Sequence, residues 1–136
     1  MGRYTQAQDA VNSIFGSAPW LAENIPAFPQ DVVPDRASKE YVRVSVIPSA
    51  KGLNKVSVSG ICILDIYTAD GEGPARALAI ADVLDKYMHF KTVQLSAGLS
   101  LEFKGSTLQG RGADKANPSL TRSQYTVPFN LYGVSN

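Results

Sequence analysis

The segment VSVSGICILDIYTADGEGPARALAIADVLDKYMH, residues 56–89, changes period in its middle, and that change decides the class of fold. From Val56 to Thr68 the chain alternates. Val56, Val58, Cys62, Leu64 and Ile66 fall on one side and Ser57, Ser59, Ile61, Ile63 and Tyr67 on the other, the two-residue period of a strand. The second side is polar at first and becomes apolar after Gly60, as in a sheet covered by helix at one end and open at the other. Ala69 to Pro74 reads as a turn, and Pro74 suits a first helical turn, where a missing N–H costs nothing. Over about residues 74–89 the period lengthens. Ala77, Ile80, Ala81, Leu84, Tyr87 and Met88 make an apolar stripe, with Arg76, Asp82, Asp85, Lys86 and His89 off it. Alanines at 75, 77, 79 and 81 let this helix lie close on a sheet.

Upstream, Glu40–Pro48 alternates cleanly, with Val42, Val44 and Val46 facing one way and Tyr41, Arg43 and Ser45 the other. A turn over 49–55 joins it to the next strand. Residues 4–15 read as a helix burying Ala7, Ala10, Val11, Ile14 and Phe15, ended by Gly16-Ser17-Ala18-Pro19. Between them, prolines 19, 26, 29 and 34 predict an extended, semi-rigid segment over 18–36, because each pushes its predecessor toward β or polyproline geometry. Trp20, Leu21, Ile25, Phe28, Val32 and Val33 give that segment apolar surface to pack along the domain or onto a neighbouring subunit. Downstream, short strands are expected at 92–95, 99–104 and 106–109, then a Gly/Asn-rich loop over 110–118. The last strand spans about 121–132, with Tyr125, Val127, Phe129 and Leu131 on one face. Pro128 must turn its missing donor away from a neighbour or sit at an irregularity. The expected plan is one α+β domain over residues 1–136, a mainly antiparallel β-sheet packed against two helices.

Composition agrees with one soluble, intracellular domain: 136 residues, 44% hydrophobic and 18% charged, with formal charge +1. No apolar run approaches the ~18–20 residues that span a bilayer, and Met1–Gln6 lacks an apolar signal core. A single cysteine and a single histidine exclude an internal disulfide and the familiar zinc clusters. Charge is uneven. Residues 1–85 hold seven basic and ten acidic side chains, net −3, and residues 86–136 hold six and two, net +4. Such polarity orients identical subunits head to tail or steers a partner to one face, unless it is only a pair of solvated faces.

Nothing in the chain assembles a catalytic cluster, so an enzyme is not expected. Leu64–Arg76 has the order of a phosphate-cradling loop, but Pro74 removes a donor, Asp70 and Glu72 repel an anion, and no lysine follows. Those two acids suit a helix start, where they complement the dipole. Cys62 lies mid-strand among apolar residues and reads as a buried structural thiol. His89 suits the C-terminal cap of its helix. Asp82 and Asp85 make at most half a metal site and read as a solvated pair. Neither a cofactor nor a metal is expected. The basic residues in turns, Lys51 and Lys55 on one side and Arg111 and Lys115 on the other, lack the interleaved aromatics of base-reading sheets. They suit a phosphate backbone or an acidic protein surface.

The order of several pieces is similar to that of a known family. These are Glu23-Asn24-Ile25-Pro26-Ala27-Phe28-Pro29, Glu40-Tyr41-Val42-Arg43-Val44-Ser45-Val46-Ile47-Pro48, Val58 to Tyr67, Gly71-Glu72-Gly73-Pro74-Ala75-Arg76-Ala77-Leu78-Ala79-Ile80-Ala81-Asp82, and Ser123-Gln124-Tyr125-Thr126-Val127-Pro128-Phe129. Together they resemble the tail-terminator (tail completion) proteins of long-tailed bacteriophages, from about residue 7 to 132. The chain departs from the family at Asp114–Arg122, where relatives often carry an aromatic. The resemblance implies a structural virion protein, made in the host bacterial cytoplasm and placed at the head-proximal end of the tail. Its partners would be itself in a ring of about six copies, the tail tube protein and head-completion or neck proteins, with non-specific contact to DNA in the lumen and none to a membrane. Lys51, Lys55, Arg111 and Lys115, in the loops 48–56 and 105–120, are then the candidates for ring-face or lumen contacts. The alternatives are another neck or tail-tube protein, which as a tube subunit would polymerise without limit, and a small α+β ligand-binding domain or enzyme.

Overall fold

The computed structural model describes residues 3–29, 40–51, 57–69, 74–96, 99–113 and 120–133. Helix α1 (Arg3–Phe15) buries Ala7, Ala10, Val11 and Ile14 and closes at Gly16, whose N–H donates to the Asn12 carbonyl. The following segment departs from the extended geometry expected of its prolines. Ala18–Leu21 is a short helix, α2, with Pro19 in its first turn, where the missing donor is no loss. That turn inserts Trp20 edge-on between Phe15 and Tyr87, at centroid distances of 4.9 and 5.5 Å. Asn24 then takes a left-handed conformation (φ 59°) and redirects the chain, so that Ala27–Pro29 runs as strand β1. Of the apolar residues expected to pack along the domain or onto a neighbouring subunit, Trp20 and Ile25 pack into the chain's own core. Residues 30–36 of the expected segment lie outside the described residues.

The sheet is built on β2 (Tyr41–Lys51), β3 (Val58–Ala69) and β7 (Leu120–Gly133), paired antiparallel in that order, with β1 parallel on the outer side of β2. Beyond β7 the sheet forks. Strand β6 (Thr107–Ala113) pairs with the first half of β7, β5 (Leu99–Phe103) pairs with the second half, and β4 (Thr92–Ser96) follows β5. Pro128 stands at the fork, between the last β6 partner, Thr126, and the first β5 partner, Phe129. Its carbonyl accepts from the Lys104 N–H at 2.8 Å, on the connector between β5 and β6. The N and C=O of one strand residue point the same way, so the missing donor also faces the fork.

Helices α1 and α3 (Pro74–Met88) cover one sheet face. Ile80, Leu84 and Met88 are fully buried there against Leu64, Ile66, Tyr125 and Val127, each contributing about 1.5–3 kcal/mol of burial. The alternation of β2, β3 and β7 puts Val42, Val44, Val58, Cys62, Phe129 and Leu131 on the same face. Among the described residues, no helix closes the other face of β3. Ile61 and Ile63 remain half-buried, and toward Tyr67 the face is closed by stacked Tyr41 and Tyr67, 4.5 Å apart, with Phe28 edge-on to Tyr41. Two strands run longer than their sequence pattern predicts. β2 continues through a bulge between Pro48 and Ala50 to Lys51, and β6 continues through a bulge between Gly110 and Gly112 to Ala113. The architecture is the expected α+β class, with the small α2 and β1 added to the expected plan.

Candidate functional site

Lys51 and Arg111, expected in loops, are on strands. Lys51 ends β2 opposite Val58, and Arg111 lies in the β6 bulge beside the Gly112–Arg122 pair. Val58 pairs with Leu131 and Tyr67 with Arg122, so the two basic positions stand at opposite ends of β3, nine residues or ~30 Å apart along the strand. They do not form one patch on a subunit. Lys55 and Lys115 lie outside the described residues, as do Asp70 and Glu72.

The helix end that carries His89 holds a polar cluster that periodicity did not reveal. Asp82 is exposed as expected, but Asp85 is half-buried. Its carboxylate accepts from the Tyr125 hydroxyl at 2.6 Å and from the Ser106 hydroxyl at 2.8 Å. His89 Nδ1 accepts from the Ser106 N–H at 3.0 Å, with Ser106 Oγ also 3.0 Å away. Burial and then the Asp85 carboxylate push the Tyr125 hydroxyl above the ordinary tyrosine range. A nucleophilic serine needs an imidazole to take its proton, and here that proton points to the carboxylate while Nδ1 is engaged by backbone. The arrangement ties α3 to β7 and to the β5–β6 connector. Where a solvated acid was expected, Asp85 is half-buried and hydrogen-bonded, and where a helix cap was expected, the His89 Nδ1 accepts from the Ser106 backbone.

Three more ties use charges whose partners are distant in sequence. The Arg76 guanidinium clasps the Glu40 carboxylate, with Nε 2.9 Å from both oxygens, and so joins the start of α3 to the start of β2. Lys86 and the Tyr87 hydroxyl both donate to Glu23, at 3.0 and 3.1 Å, and the Lys86 bond holds the Glu23 carboxyl below its ordinary value. Arg122 Nε donates to Asp65 at 3.0 Å on the sheet face away from the helices. Cys62 is fully buried, and burial alone pushes its thiol up to about 12, as befits a structural thiol. Among the described residues no three His, Cys, Asp or Glu side chains converge on a metal position, and no helix is long and apolar enough to cross a membrane.

Two surface features remain. A groove of about 200 Å³ opens between the end of α1 and the β1 edge, lined by Asn12, Phe15, Gly16, Ala27, Phe28, Pro29 and Val44. Large apolar side chains also face solvent, most of all Phe90 (70% exposed) and Leu21 (63%).

Similarity to known proteins is confined to shape. A solved structure whose name carries no functional description superposes with a TM-score of 0.67 over 98% of this chain and 96% of its own, at 16% identity. At that identity the likeness speaks for the α+β fold and for nothing finer. No protein-family model and no curated protein matches the chain.

Proposed function

We propose that this chain is a structural virion protein of the tail-terminator kind, a subunit of a closed ring that caps the tail tube, ends its polymerisation and offers a surface for head joining. The observation that carries this reading is where the family-like pieces fall. Glu23–Pro29 makes the α2–β1 connection and β1, and Glu40–Pro48 makes β2. Val58–Tyr67 makes β3, the piece ending at Asp82 makes the first half of α3, and Ser123–Phe129 makes the middle of β7. They form one continuous sheet with a helix laid on it, so the resemblance follows the framework of the domain.

The physical requirement is modest. A heterologous contact that closes on itself makes a ring, and one that does not makes a filament. A cap is a closed ring with one face that copies the stacking surface of the tube subunit and another that does not. The test is native mass across a concentration series with negative-stain images, followed by polymerisation of the tail tube protein with and without this protein. A ring of about six copies and tubes arrested in length are expected. Open-ended tubes of this chain alone would make it a tube subunit. Tubes that grow equally long in its presence would overturn the capping role.

A further inference from the structure

We propose that Phe90 of one copy seats in the groove between α1 and β1 of the next copy, with Lys91 meeting Asp9 across the contact. The inference deepens the ring reading by naming its subunit contact, and it rests on that reading only for the closure of the assembly.

Phe90 is presented as a fixed knob. It follows α3 in a left-handed conformation (φ 52°), which a bulky residue holds only where its surroundings impose it. Its N–H donates to the Lys104 carbonyl at 3.1 Å, and its ring stands edge-on to His89 at 4.7 Å. Gly105 leaves room for that ring, since a Cβ there would lie 3.0 Å from it. Held on these sides, the side chain is still 70% exposed, the most exposed large apolar residue among those described. An aromatic ordered before binding loses little entropy on docking, which is what an interface anchor needs.

The groove fits such a knob. Its walls are Phe15, Ala27, Phe28, Pro29 and Val44, and its volume of about 200 Å³ exceeds the ~150 Å³ of an apolar cavity that takes a benzene ring. Placement determines the occupant. The groove is at the β1 edge, whereas Phe90 is anchored to the β5–β6 connector on the far side of β7, four strand spacings or ~19 Å across the sheet. A knob and a hole at two different places on one subunit join copies head to tail. Charge agrees with this: exposed Lys91 adjoins the knob, and exposed Asp9 lies one helical turn before Asn12 at the groove.

The experiment is sedimentation equilibrium of the full chain over a wide concentration range, with negative-stain images, for wild type, Phe90→Ala, Asp9→Lys, Lys91→Asp and the double swap. All the changes are at exposed positions, and circular dichroism with a thermal melt confirms that each variant folds. Phe90→Ala is expected to weaken self-association by about thirtyfold, the loss of an interface anchor. Each single charge reversal is expected to weaken it severalfold, and the double swap to restore it to within about twofold. A wild-type protein that stays monomeric overturns this contact but leaves tube capping to the polymerisation assay. So does an oligomer indifferent to Phe90→Ala, or a double swap no better than its parents. Open tubes that depend on Phe90 would uphold the contact and overturn the cap.

Discussion

Gly60 shows how a single residue type holds the hairpin together. A Cβ there would collide with the Ile47 carbonyl oxygen and stand 2.8 Å from the Pro48 Cα, both backbone atoms that cannot swing aside. The close approach occurs where β2 enters its bulge, so Gly60→Ala is expected to cost about 3 kcal/mol and lower Tm by roughly 10 °C in a thermal melt. Two buried acids predict the response to alkali. Cys62 rises from its ordinary 9.0 to about 12, and Tyr125 also rises, so folding favours the neutral form of each. Their contribution is fully present below the ordinary values and is lost as pH climbs, for Cys62 from about 9 toward 12 and for Tyr125 above ~10. Urea melts at stepped pH should show stability falling over that range, with a shallower fall for Cys62→Ala and for Tyr125→Phe. Slopes equal to wild type would refute the assignment.

At the scale of elements, α2 works as a plug more than as a helix. Its four residues present Trp20, 1% exposed, between α1 and α3. Trp20→Ala should therefore cost about 3–5 kcal/mol in a urea melt, while Leu21→Ala, one residue on and 63% exposed, should cost under about 0.5. The longer elements were legible because their side chains alternate or recur: the valines of β2, the Ile80–Leu84–Met88 stripe of α3, the Tyr125–Leu131 face of β7. The 18–29 segment was not. Three prolines argue against helix as a local average, but Pro19 occupies the one helical position where it is harmless. The extra lengths of β2 and β6 were hidden for a similar reason. Their ends carry Lys51, Gly110 and Gly112, and only pairing with β3 and β7 makes strands of them.

Across the whole molecule, the charge division of the sequence is partly cancelled inside the fold. Lys86 pairs with Glu23 and Arg122 with Asp65, each bond joining the basic end of the chain to the acidic one. Of the candidate basic residues, the two that are described stand apart, because Lys51 and Arg111 are at opposite ends of the sheet. Under the proposed function the two ends of a subunit meet different surroundings, so paired substitutions should have separable effects. Lys51→Ala with Lys55→Ala and Arg111→Ala with Lys115→Ala are expected to reduce head–tail joining in vitro to unequal degrees. Equal loss from both pairs would refute the separation, and no loss from the fourfold variant would remove these residues from the interface.

The periodicity of the chain determined by itself the class of fold, the two long helices, the three central strands and which face of each is buried. Those properties depend on neighbours one to four residues apart, which sequence displays directly. Tertiary structure alone decided the fork at Pro128, the plug at Trp20, the network from Asp85 to Ser106 and Tyr125, and the separation of Lys51 from Arg111. Each depends on register between strands or on groups 20 to 60 residues apart being brought within a hydrogen bond of one another, and no local pattern records which distant partner the packing will choose.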